Sequence, residues 1–162
     1  MKLSETRGKR VWLVEAVVLL LAWVAAGVAN SGGFIMGDVP SIVGVVTTLV
    51  VVFTWLLAGW FAGSGSKAGF VRFAAVFWIT VVAGGPLVFW ALTVAPGLTV
   101  SQGGWVLPLL LFVVAAPLYG LVALLPYQSA VVWTAGIGVA VLAMTLGAYS
   151  AGRRIGRRSP TR

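Results

Sequence analysis

Five long apolar runs, each bounded by glycine, proline or charged residues, organise the chain: residues 11–29, 41–63, 70–94, 105–125 and 130–151. Each is near the roughly 20 apolar residues that one helix needs to cross a bilayer. Lipid offers the backbone no hydrogen-bond partners, so such runs must satisfy their own N–H and C=O groups, and a helix does so. The pattern predicts an all-α integral membrane protein, a compact bundle of five hydrophobic helical segments making four or five crossings. Residues 11–151 form its single transmembrane domain, between a basic N-terminal tail over 1–10 and a basic C-terminal tail over 152–162.

The interruptions refine this picture. The first run has a small-residue stretch, Gly27-Val28-Ala29, that resembles a signal-peptide cleavage site, but it is too long for an h-region and contains Glu15, so it reads as a retained helix. Asn30-Ser31-Gly32-Gly33 is expected to stop it. Pro40 suits the first turn of the second helix, with Asp38 near its positive end. Residues 63–69 form a glycine- and serine-rich connection carrying Lys67. Gly84, Gly85 and Pro86 should break the third segment, leaving backbone groups that a neighbouring helix or a wet cavity must satisfy. Pro108 lies in the first turn of the fourth and is tolerated there, whereas Pro117 should kink it. A turn over 126–129 makes the fourth and fifth runs an antiparallel hairpin. The Gly-Gly and Ala-Pro pairs of the third and fourth segments recur at different spacings, which reflects composition rather than a repeat.

Charge is scarce and localised. Apolar residues are 60% of the chain and charged ones 9%, with a mean hydropathy of +1.07, far from a soluble domain. The net charge of +8 comes from basic residues beside the apolar runs, which points to anionic headgroups and topology rather than nucleic acid. Without Cys or His, thiol chemistry and the usual zinc, copper, haem and iron–sulfur ligands are excluded, and no cofactor is expected. Arg outnumbers Lys eight to three amid abundant Ala, Val and Gly, a bias that makes a bacterial plasma membrane the expected location.

All eleven basic residues fall in the N-tail, the Lys67/Arg72 connection and the C-tail. The positive-inside rule asks all three to face the cytoplasm. Five crossings cannot comply, since they leave six basic residues on one side and five on the other. Three resolutions compete: a re-entrant segment, for which the third is the expected candidate; a basic tail left outside; or dual topology with antiparallel pairs. The expectation taken forward is a cytoplasmic C-tail.

Few residues can carry chemistry. Glu5, Glu15 and Asp38 are far apart in sequence and no His is available as a base, so no catalytic residues are expected. Glu15 is the acid inside an apolar run. It could serve a proton or cation pathway, or pair at the interface, about one and a half turns from Arg10. Gly59 and Gly63 form a GxxxG pair, and Ala143, Gly147 and Ala151 recur every four residues on the last helix. Such faces let helices approach closely within a bundle or against a partner. Trp12, Trp60 and Trp105 fall at run ends, where indole favours headgroups, and the other tryptophans lie deeper, as packing. Arg153, Arg154, Arg157 and Arg158 are candidate contacts for anionic lipid. The sequence thus points to a non-enzymatic accessory or assembly subunit acting through helix packing, partnered by lipid, a membrane protein or its own copies. The alternative is a small transporter or channel for a neutral or cationic solute.

Overall fold

The computed structural model describes residues 2–36, 38–94, 106–125 and 130–158. They form five helices, α1 (Lys2–Met36), α2 (Ile42–Ser64), α3 (Ala68–Val94), α4 (Val106–Tyr119) and α5 (Ala130–Arg158), with a short 3-10 turn, Gly120–Leu124, after α4. Among the described residues there is no strand. The chain is an all-α membrane bundle, with Val14–Met36, Ile42–Ser64, Gly69–Ala91 and Val132–Gly156 long and apolar enough to cross a bilayer. The fourth apolar stretch is the short one, Phe112–Val122.

Several boundaries differ from expectation, beginning with the basic tails, where residues 2–10 belong to α1 and 152–158 to α5. The first helix does not stop at Asn30 but continues to Met36. The Asn30 amide donates to Ala26 O one turn back (2.9 Å) and to Thr48 Oγ1 on α2 (3.0 Å), so the residue fastens two helices instead of ending one. The second helix begins after Ser41, whose hydroxyl accepts from Gly44 N at 3.0 Å, with Pro40 just outside it. The 63–69 connection is a tight turn: α2 runs to Ser64 and α3 starts at Ala68. Gly65 N, Ser66 N and Lys67 N bond back to Phe61 O, Gly63 O and Ala62 O, with Ser66 at φ 53°. These bonds take up carbonyls that a helix end leaves without partners.

The predicted break at Gly84, Gly85 and Pro86 is also absent. α3 runs through all three without interruption. Proline removes one helical hydrogen bond, and a neighbour packed alongside lets the helix continue; Val114 of α4 lies beside Gly84. At Pro117, where a kink is expected, α4 continues to Tyr119 and then tightens into the 3-10 turn from Gly120. The predicted 126–129 turn and the 95–104 loop lie outside the described residues.

Neighbouring contacts fix the direction of each helix. Gly59 meets Thr145, Gly63 meets Tyr149 and Gly156 meets Ser64, so α2 and α5 are parallel. α3 is antiparallel to α5, because Phe70 stacks on Tyr149 at 6.3 Å while Val82 touches Gly138. Trp23 meets Val113, Gly27 meets Pro117 and Gly33 meets Tyr119, so α4 runs parallel to α1. Thus α1, α3 and α4 point one way, and α2 and α5 the other. Consecutive helices α3 and α4 share a direction, which removes one alternation from a five-segment chain. The start of α1, the α2–α3 turn and the end of α5 consequently lie at one end of the bundle.

Aromatic rings fill the centre. Trp23, Trp55 and Trp78 are 5%, 1% and 0% exposed, and Phe77 touches all three. Since lipid tails are as apolar as these side chains, close van der Waals packing holds the helices together, and edge-on ring pairs add about 0.5–1.5 kcal/mol each.

Candidate functional site

Glu15 sits at the basic end, where α1 passes the α2–α3 turn. Lys67 Nζ donates to its two carboxylate oxygens at 2.7 and 3.0 Å, and the two side chains are 30% and 31% exposed. The turn that reverses the chain also aims Lys67 at α1. The pair therefore takes up the intramembrane acid at the edge of the bundle. Asp38 lies at the opposite end, exposed, where its backbone carbonyl accepts from the Tyr119 hydroxyl at 2.8 Å.

The small residues separate into two groups. Gly59 and Gly63 are buried against the backbone of α5; a Cβ on Gly59 would lie 2.7 Å from Thr145 O, and one on Gly63 would collide with Tyr149 O. Ala143 and Gly147 face outward, with no atom near the space a Gly147 side chain would enter, and Ala151 is half-buried. The face of α5 that meets α2 and α3 is instead Gly138, Val141, Thr145, Tyr149, Gly152 and Gly156.

Sequence reasoning missed a polar clamp at the far end. Asn30, Thr48 and Pro117 converge there: the Thr48 hydroxyl, which accepts from Asn30, lies 2.9 Å from both Gly44 O and Pro117 O and shares its proton between them. Gly120 passes so close to Gly44 O and Thr48 Oγ1 that a side chain there would collide with them. An asparagine within reach of an apolar run was the available signal. A second tie joins α1 to α4, with Trp23 Nε1 donating to Val113 O at 2.9 Å. Pro117 has no N–H to offer that carbonyl four residues back, so the indole supplies the missing donor.

The described residues leave depressions on the outer surface, among them an apolar one of about 460 Å³ on α2 lined by Val46, Leu49, Val50, Phe53 and Leu56. Another, of about 320 Å³ between α1, α3 and α4, is lined by Trp23, Phe77, Thr80, Val113 and neighbouring apolar side chains. A third, of about 310 Å³ on α5 at the basic end, is lined by Tyr149, Ser150, Arg153 and Arg154. The side chains of Arg157 and Arg158 lie outside the described set, as do those of Trp12 and Trp105. Trp60 is 37% exposed near the basic end. Among the described residues no group of His, Cys, Asp or Glu could hold a metal. Compared with known proteins, the chain matches no family model, no curated protein and no solved structure.

Proposed function

We propose that the chain is a multi-pass plasma-membrane protein of a bacterium, with its basic end in the cytoplasm, that acts without catalysis as an accessory or assembly subunit. The observation that supports the non-transport role is the closed interior. Its axis is packed with the rings of Trp23, Trp55, Phe77 and Trp78. Its buried polar residues among those described are Asn30, Thr48, Thr134 and Thr145, and Glu15 is engaged by Lys67 at the rim. Among the described residues a solute would find no acid inside to carry a proton or cation, which leaves the outer helix faces as the working surface.

The cytoplasmic assignment draws on the helix directions. With α3 and α4 parallel, the N-tail, the Lys67/Arg72 connection and the C-tail share one end, and the conflict between five segments and the positive-inside rule disappears. Holding five arginines outside would oppose a membrane potential worth about 2.3 kcal/mol per charge per 100 mV.

Liposomes containing only this protein test the role. They should leak protons, cations and small neutral solutes no faster than protein-free liposomes, while the protein extracted from its native membrane in mild detergent migrates with a defined larger complex. A flux that falls on Glu15→Gln would replace this reading with transport.

A further inference from the structure

We propose that the outer face of α5 at the basic end is a discrete site for one anionic phospholipid, with its phosphate at Arg153 and Arg154 and an acyl chain along Gly147 and Ala143. The inference rests on the basic end lying at a membrane interface, and it adds a specific ligand to that reading. Arg153 and Arg154 are exposed and border the 310 Å³ depression with Tyr149 and Ser150. Among the described residues neither guanidinium has a carboxylate partner: Glu15 is held by Lys67, and Asp38 is at the other end of the bundle. The two exposed guanidinium groups thus present a positive surface that complements an anionic headgroup. A guanidinium meets a phosphate with paired N–H donors, a geometry that favours a defined contact over a diffuse atmosphere.

The surface beneath the arginines selects a lipid over a free anion. Ala143, Gly147, Ser150 and Arg154 follow one another at four- and three-residue intervals, so they share one outward stripe of the helix. Ala143 and Gly147 are exposed, and open space surrounds the missing Gly147 side chain. The rise from Ala143 to Arg154 is about 16 Å, close to half of the ~30 Å hydrocarbon core. A phosphate at the arginines would thus be level with the headgroups while a chain from the same molecule lies over the bare helix backbone below. The small residues leave the helix surface bare below the depression, and the arginines give it a chemical preference.

The test is native mass spectrometry of the full chain in detergent, supplemented with phosphatidylglycerol, phosphatidylcholine or glycerol 3-phosphate. One phosphatidylglycerol should remain bound per chain. Joint replacement Arg153→Gln and Arg154→Gln should weaken it about thirtyfold, the combined effect of two cationic contacts. Gly147→Leu keeps every charge and places its Cβ more than 4 Å from any neighbouring atom, so it should weaken binding while leaving the detergent melting temperature unchanged; Arg72→Gln, at the same end, should leave binding intact. Equal retention of phosphatidylcholine, displacement by glycerol 3-phosphate at equal concentration, several lipids bound alike, or an equal loss on Arg72→Gln would each overturn the site. An inverted orientation in cells would leave this binding unchanged, so the two readings fail separately.

Discussion

The indole N–H of Trp23 donates, at 2.9 Å, to the carbonyl of Val113, the group that Pro117 leaves without its helical donor. A proline that would weaken an isolated helix thus becomes the point where α4 is tied to α1. Trp23→Phe keeps most of the ring packing but removes the donor, and should cost about 1 kcal/mol, the scale of hydrogen bonds between helices in membranes. Pro117→Ala restores an N–H for Val113 O. In that background the cost of Trp23→Phe should shrink, and a double-mutant cycle on unfolding in detergent measures the coupling. Identical costs in both backgrounds would show that the bond contributes nothing.

The glycines of α2 and α5 should respond oppositely. Gly59→Leu forces a side chain onto the Thr145 backbone and should lower the melting temperature or prevent folding, with a loss of about 1–3 kcal/mol or more from overpacking. Gly147→Leu enters open space and should leave the fold intact. A reversed order in a thermal assay would contradict the assignment of the two faces.

Topology can be read without background, because the chain has no cysteine. Ser66→Cys in the α2–α3 turn and Ser159→Cys in the C-tail should react with a membrane-impermeant maleimide only after cells are opened, and Val39→Cys, exposed between α1 and α2, should react from outside. Labelling of Ser66→Cys and Ser159→Cys from opposite sides would mean that α3, α4 and α5 alternate after all.

The Glu15–Lys67 pair is one-third exposed, so its contribution is modest. Glu15→Gln should destabilise the protein by no more than about 1 kcal/mol, and adding Lys67→Gln should cost little further. A loss of several kcal/mol in chemical unfolding would show that the pair behaves as a buried one.

The five apolar segments were legible because charge and turn residues punctuate them, and Gly59 and Gly63 stood out as GxxxG. The direction of α4 was not legible. It depends on which side of α1 receives Val113 and Pro117, a tertiary choice with no local signature. The packing face of α5 was ambiguous for a different reason: small residues line two of its faces, Gly138, Gly152 and Gly156 inward and Ala143 and Gly147 outward. Asn30 misled because asparagine suits a helix end as well as a buried clamp, and Thr48, its partner on the next helix, decides between them.

The ring cluster at the centre also makes the protein its own optical gauge. Trp78 lies 5.2 Å from Trp55 and 5.7 Å from Trp23, with the planes steeply inclined in both pairs. Indoles fixed in that geometry give a near-ultraviolet circular dichroism signal that disappears when tertiary packing loosens, even if the helices persist. Trp60 and Trp90, 37% and 62% exposed on the outside of the bundle, sample the surrounding lipid instead. With Trp12, Trp105 and Trp133 replaced by Phe, a bilayer quencher should therefore dim the outer pair and spare the central three, separating core loosening from changes in the membrane without any added label.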